Sequence, residues 1–162
     1  MDRIVIVDEQ DNVLGEKKRE EITSSDIYRV SALWITNARG GILLAKRALS
    51  KKHDPGKWGP AVAGTVEAGE SYLENIIKEA REELGLDNIK PTIGPKVKIV
   101  GEHSFFGQWF ALSVDEEQKF VVQPEEVAEI RWFSPTELRK HLDDSPEDFI
   151  RSSAYWPINL KF

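Results

Sequence analysis

Three glutamates that could act together, Glu79, Glu82 and Glu83, lie close in the sequence at spacings of three and four residues. On a helix, residues at these spacings share a side, where like charges cost a few tenths of a kcal/mol per pair. Two forms of compensation are open. Lys78 and Arg81 could neutralise a solvated helix face, or a divalent cation could bind. Clustered carboxylates without cysteine favour a hard cation, Mg²⁺ or Mn²⁺.

This geometry requires a helix, which the surrounding sequence predicts from Tyr72 to Leu84. Ser71 and Glu74 form a capping-box pattern at its start, and Gly85 is a typical helix stop. The apolar residues follow one helical stripe. They are Leu73, Ile76, Ile77, Ala80 and Leu84.

The segment from Gly64 to Leu86 resembles the Nudix box, G-x5-E-x7-R-E-U-x-E-E-x-G-U, where U is a bulky aliphatic residue. The pattern is long, so the resemblance is specific. Ala80 is smaller than the usual U residue, and Lys78 replaces the family's arginine. The matching residues are Gly64, Glu70, Glu79, Glu82, Glu83, Gly85 and Leu86.

This resemblance implies a role for each matching residue. Glu79, Glu82 and Glu83 would bind Mg²⁺ (or Mn²⁺), Glu82 or Glu83 would also be a candidate general base, and the Gly64 carbonyl could be a further oxygen ligand. Glu70 would contribute indirectly or through a water molecule. Lys78 keeps the charge of the family's arginine but lacks its planar fork, which affects the positioning of a carboxylate more than the reaction.

Three stretches before the box resemble type 1 isopentenyl-diphosphate isomerase, an enzyme with the Nudix fold. Arg47 and Lys51 match residues that contact the diphosphate in that family, although a solvated basic loop is an equal alternative. Trp58 could stack on a base or an isoprenoid-like group, but core packing is favoured. The stretches are residues 47–52, 55–58 and 61–64.

The chemistry of the isomerase is missing from this chain. Ala63 occupies the position of the cysteine that protonates carbon, and Thr65 and Tyr28 occupy histidine positions. Ser104 occupies the position of a metal-binding glutamate. The hydrolytic glutamates are retained, so the resemblance implies hydrolysis within an isomerase-like shell.

The other predicted elements indicate a mixed sheet packed by helices. We therefore expect a Nudix-type α/β/α sandwich, formed by one domain over residues 1–162 with an N-terminal hairpin extension at 1–26. The predicted strands are Arg3–Val7, Val13–Gly15, Tyr28–Thr36, Ile42–Ala45, Val97–His103, Phe105–Val114 and Ala128–Phe133. The predicted later helices run from Pro135 to about Leu142 and from Pro146 to Ser153.

Composition limits the function classes. The 162 residues include 28 acidic and 22 basic side chains, and a net charge of −6 argues against binding a nucleic-acid backbone. The chain has no cysteine and no apolar run long enough for a signal peptide or membrane span, which favours a cytoplasmic protein.

Two interpretations are open for several residues outside the box. Glu125 and Glu126 could supply an extra carboxylate or form an ordinary charged loop. The segment Tyr155–Pro157 could cover a core edge or form a homodimer contact. The three histidines lack metal-ligand spacing. They are His53, His103 and His141.

The expected function is Mg²⁺-dependent hydrolysis of a diphosphate bond. The expected substrate is a nucleoside diphosphate derivative or a related small diphosphate. The alternatives are an isopentenyl-diphosphate isomerase-like enzyme and a catalytically silent diphosphate-binding module.

Overall fold

The computed structural model describes residues 2–159, which form nine β-strands, two α-helices and three short 3₁₀ helices. The strands are β1 (Arg3–Val7), β2 (Val13–Lys18), β3 (Ile27–Asn37), β4 (Ile42–Arg47), β5 (Trp58–Pro60), β6 (Val62–Thr65), β7 (Thr92–Ile99), β8 (Ser104–Val114) and β9 (Val127–Phe133). The helices are α1 (Tyr72–Leu84) and α2 (Pro135–Asp144). The 3₁₀ helices are Arg19–Glu21, Pro146–Asp148 and Arg151–Tyr155.

Strand β3 is the centre of a mixed sheet. It pairs in parallel with β8 along its whole length, from Ile27 opposite Ser104 to Asn37 opposite Val114. Its pairings with β1, β4 and β6 are antiparallel. Strand β2 extends the sheet beyond β1, β7 lies beside β8, and β5 and β9 flank β4.

The helices cover opposite faces of the sheet, because successive residues of a strand face opposite sides. Leu33 and Ile35 of β3 pack on the side of α1, together with Ile76, Ala80 and Leu84. Trp34 of β3 packs on the side of α2 with Leu138, Phe133 and Trp156. The predicted sandwich of helices around a mixed sheet is therefore confirmed.

Helix α1 has the predicted limits, and its ends show why. Ser71 Oγ accepts a hydrogen bond from Glu74 N, and the Glu74 carboxylate accepts one from Ser71 N, both at 3.0 Å. At the other end, Gly85 adopts the left-handed conformation (φ 67°), and its N–H donates to Arg81 O. This conformation is the usual helix stop at glycine.

The predicted strand Val97–His103 is wrong in position, since β7 spans Thr92–Ile99 and residues 101–103 form a bend. The first half of β7 contains Gly94 and Pro95, residues that are uncommon inside strands. The pairing of β7 with β8 has a register shift between Ile93 and Lys96, which accommodates the proline.

The predicted helix Pro146–Ser153 is also wrong, because two 3₁₀ helices take its place. Between them, Phe149 is 2% exposed and Ile150 N donates to Trp58 O at 3.0 Å. The chain is extended here because it packs Phe149 against the core and bridges β5.

Trp156 shows that the core-edge interpretation of Tyr155–Pro157 is correct for this residue. The indole is 1% exposed and contacts the ring of Trp34 edge-on, with centroids 5.8 Å apart. Tyr155 remains 41% exposed.

Among residues 2–159, none of the helices combines the length and the apolar character that crossing a bilayer requires.

Candidate active site

Gly64 lies directly against the side chain of Glu79. It is part of β6, which runs beside β3 and contacts α1. A Cβ atom at position 64 would be 2.5 Å from Glu79 Cγ and 2.6 Å from Cδ, closer than real Cβ contacts allow. Only glycine lets the strand approach this carboxylate, which explains why the motif begins with this residue.

Glu79 and Glu83 are one helical turn apart, and their carboxyl groups interact electrostatically. Glu83 is 8% exposed. Burial, together with the neighbouring Glu79 carboxylate, raises the pKa of Glu83 to about 10, and burial also raises the pKa of Glu79. Both shifts favour a protonated or cation-bound pair over two bare carboxylates.

Lys78 connects this pair to the loop before α1. Its Nζ lies 2.7 Å from Glu70 Oε2, 3.3 Å from Glu67 Oε2 and 4.0 Å from Glu79 Oε1. Burial opposes ionisation of both Lys78 and Glu70, but their hydrogen bond, their opposite charges and the contacts with Glu67 and Asn75 together outweigh it. The pKa of Lys78 is therefore raised and that of Glu70 lowered.

Asn75 is a structural member of the site that the sequence interpretation missed. It is fully buried, and its Nδ2 donates to Glu70 Oε1 and to Thr65 O, both at 3.1 Å. Glu67 N also donates to Glu70 Oε1, at 2.9 Å. The signal in the sequence was an asparagine four residues before Glu79 and eight before Glu83, on the same side of α1.

Glu82 lies on the exposed part of α1, and its charge raises the pKa of Glu79. The prediction that all three glutamates converge is therefore only partly met, because the close pair is Glu79 and Glu83. Within residues 2–159, no three acidic or histidine side chains already surround a single point as metal ligands would.

The pair nevertheless fits a hard divalent cation. Its donors are all carboxylate oxygens, which Mg²⁺ and Mn²⁺ prefer. Positive charge relieves the repulsion of two adjacent buried carboxylates, a role that a cation can fill. Glu82 lies three residues after Glu79 on the same helix, a spacing at which long side chains can meet.

Glu126 reaches the same site from outside the motif. The segment before β9 is held against the end of α1, since Gln123 N donates to Glu83 O at 3.0 Å. Lys51 Nζ lies 2.6 Å from Glu126 Oε2. The negative charge of Glu126 raises the pKa of Glu83, and the positive charge of Lys51 lowers it. The charged-loop interpretation of Glu126 is thus incomplete.

The three predicted substrate-binding residues have different environments. Lys51 contacts Glu126, which in turn lies near the Glu79–Glu83 pair. Arg47 lies at the end of β4, half-buried, where its Nε donates to His53 O at 2.9 Å. Trp58 is 7% exposed and packs edge-on against Phe133, so the structure contradicts a stacking role for its ring.

The positions that correspond to isomerase residues lie at one end of β3. Thr65 pairs with Val30, and Ser104 pairs with Ile27. The Tyr28 ring stacks on Phe105 with centroids 5.4 Å apart. The fold therefore brings these positions together, but neither Ala63 nor the other residues at these positions carry a thiol or an imidazole.

The model of the NUDIX domain matches residues 27–152, a span that contains every residue of the site described above. The mixed sheet, the carboxylate helix and this match define one class of protein. The chain belongs to the Nudix family, and its relatives identify it as a Nudix hydrolase.

One relative is an uncharacterised Nudix hydrolase of Yersinia pestis, 31% identical over 153 residues, which cover 93% of this chain and 83% of that protein. An isopentenyl-diphosphate Δ-isomerase of Citrobacter koseri is 35% identical over 94 residues, covering 56% of this chain and 52% of the isomerase. The crystal structure of DR0079 from Deinococcus radiodurans has the same fold, with a TM-score of 0.79. It is 24% identical and covers 94% of this chain and 95% of its own.

Proposed function

We propose that this protein is a Mg²⁺- or Mn²⁺-dependent hydrolase that cleaves the diphosphate bond of a nucleoside diphosphate derivative or a related small diphosphate. The observation that carries the proposal is the buried pair Glu79–Glu83 beside Gly64. Family membership supports a hydrolase of diphosphate-containing substrates, and the oxygen-only donor set supports the choice of metal.

Glu79, Glu82 and Glu83 would hold the cation, with the carbonyl of Gly64 as a further ligand and Glu70 acting indirectly. When bound, the cation supplies positive charge that neutralises a diphosphate and lowers the pKa of water. Lys78 orients Glu70 and Glu79 through the contacts described above. Lys51 places positive charge near the carboxylates, where it suits an anionic substrate, and Arg47 at the end of β4 is a second candidate for binding it.

The reaction that this arrangement suits is attack of water on phosphorus. The new bond joins the water oxygen to phosphorus, and the bond from phosphorus to the bridging oxygen breaks. The proton of the water passes to a carboxylate, for which Glu82, Glu83 and Glu126 are candidates, and the bridging oxygen leaves with its electron pair. Ala63 has no acidic proton to give to carbon, which disfavours isomerisation.

The test is a hydrolysis screen over nucleoside diphosphate derivatives, dinucleoside polyphosphates and prenyl diphosphates, each with Mg²⁺ and with Mn²⁺. We expect phosphate-containing products from at least one diphosphate class and no isomerisation of isopentenyl diphosphate. Isomerase turnover would overturn the proposal. So would the absence of any hydrolysis, which would favour a silent binding module.

The variant Glu83→Gln makes the test specific to the site. A neutral amide has nearly the shape of the carboxyl group and places no charge at this buried position, so the fold should keep its melting temperature. Activity should fall about 100-fold or more, because the site loses a charge that binds the cation. Glu125→Gln, an exposed neutralisation in the neighbouring loop, is the matched control and should retain wild-type activity.

A further inference from the structure

The hairpin β1–β2 precedes the residues matched by the NUDIX domain model, yet it is bonded to the loop between β6 and α1. Ala68 N donates to Arg3 O at 2.7 Å, and Val5 N donates to Val66 O at 3.4 Å. Between these bonds, Ile4 forms a bridge opposite Glu67. Strand β1 therefore has a third backbone partner besides β2 and β3, and this partner is the loop that carries Glu67 and Glu70.

The tip of the same hairpin is attached to the start of α1 through Asp11. Its side chain is 7% exposed. Asp11 Oδ1 accepts from Arg29 Nε at 2.7 Å, and Oδ2 accepts from Tyr72 Oη at 2.9 Å and from Lys96 Nζ at 2.6 Å. The Asp11 carbonyl accepts a further bond from Arg29 Nη2 at 2.7 Å. One carboxylate thus joins the hairpin to β3, α1 and β7.

Tyr72 is well placed to transmit this attachment. It is the first residue of α1, two residues after Glu70, and its backbone oxygen accepts from the Ser31 hydroxyl at 2.8 Å. Arg29 and Lys96 lie over its ring, 5.0 Å and 5.2 Å from the centroid. The ring also packs against Val5, Val7 and Val66. The hairpin therefore fixes both the loop and the first turn of α1.

The loop is connected in turn to the carboxylates. Glu67 and Glu70 hold Lys78, and Lys78 lies near Glu79. We propose that the hairpin is a positioning element for the metal-binding carboxylates and that Asp11 is its positioning residue. This inference rests on the proposed function, since it assigns the hairpin to the same cation site.

The test compares Asp11→Asn and Tyr72→Phe with the wild-type protein. Tyr72→Phe removes only the hydroxyl that donates to Asp11, so it keeps the ring and is the milder change. Glu16→Gln is the matched control, because it breaks an exposed ion pair with Arg3 in the same hairpin. Three properties are measured at a temperature where all variants are folded: Mn²⁺ affinity by titration without substrate, kcat and KM.

We expect Asp11→Asn and Tyr72→Phe to weaken Mn²⁺ binding about three- to ten-fold and to lower kcat more than they change KM, the range typical of coupling through a contact network. Glu16→Gln should match wild type in all three properties. If both test variants lose only thermal stability and keep wild-type Mn²⁺ affinity and kcat, the hairpin is merely structural and the inference is overturned.

These readouts separate the two proposals. Wild-type protein that binds Mn²⁺ but hydrolyses no diphosphate contradicts the proposed function, while the relative Mn²⁺ affinities still decide the role of the hairpin. If Asp11→Asn does not fold, Tyr72→Phe decides the inference alone, since a phenylalanine fills the same core position.

Discussion

Lys78 occupies the arginine position of the Nudix motif, and its contacts show how α1 accommodates the exchange. An arginine can bind one carboxylate through two parallel bonds, whereas an ammonium group is a point donor with three hydrogens. Here the ammonium group is shared between Glu70 and Glu67. A second acceptor therefore replaces the second arm of the fork.

Lys78→Arg tests this interpretation. The guanidinium can restore a bidentate contact with Glu70, so we expect kcat to equal or exceed that of the wild type. The measurement is steady-state hydrolysis of the best substrate from the screen. A large fall in kcat with an unchanged melting temperature would show that the shared ammonium geometry itself is required.

Glu82→Gln tests the exposed member of the motif. We expect kcat to fall about 100-fold or more with the fold intact, because the site loses one of the charges proposed to bind the cation. Circular dichroism verifies the fold, and kcat is measured at saturating Mg²⁺. Undiminished activity would remove Glu82 from the metal site and leave Glu79 and Glu83 as its ligands.

At the scale of elements, local signals were reliable where one helix or turn contained the whole explanation. The limits of α1 followed from Ser71, Glu74 and Gly85, whose contacts all lie within the helix and its caps. The position of β7 did not follow from local residues. A proline in an edge strand is tolerated here because the pairing with β8 shifts its register around it.

Among the site residues, too, those with local contacts could be predicted and those placed by distant contacts could not. Glu79, Glu83 and Gly64 belong to one motif and could be predicted from the sequence. The sequence offered Glu126 only as an alternative to a charged loop, because its position depends on backbone bonds between residues 121–123 and the end of α1. Core packing was the favoured prediction for Trp58 and is confirmed, but its partners Phe133 and Phe149 are distant in the chain and could not be named from the sequence.

Gly64→Ala tests the approach of β6 to α1. The added methyl group would collide with Glu79 Cγ, so the Glu79 side chain must move away from its pair with Glu83. We expect most of the hydrolytic activity to be lost while the protein remains folded. Gly15→Ala is the control, because a Cβ there meets nothing within 4 Å. Equal activity in both variants would contradict the importance of this contact.

At the scale of the whole molecule, Asp11 makes stability depend on pH. Burial tends to raise its pKa, but hydrogen bonds from Lys96, Arg29 and Tyr72 outweigh this and lower it. A lowered pKa in the folded state means that the stabilisation is complete above the pKa of an unfolded aspartate. It is lost as pH falls through the folded value.

Asp11→Asn should therefore destabilise the protein more at neutral pH than in acid. The measurement is the free energy of unfolding from urea titrations of both proteins at about pH 7 and about pH 3. We expect the two proteins to become more similar at the lower pH. A difference that stays the same at both values would show that Asp11 acts through packing and not through its charge.

The parallel pairing of β3 with β8 has a consequence for how the chain folds. The two strands are separated by residues 38–103, so their pairing closes a long loop that includes α1. Closing such a loop costs entropy before the contacts compensate for it, and domains rich in long-range pairing fold slowly. The hairpin β1–β2 and helix α1 are local and can form early, but the central strand acquires its full-length partner only after β8 has been synthesised. Until then one edge of β3 is open to other chains, and productive folding depends on completing this one strand pair.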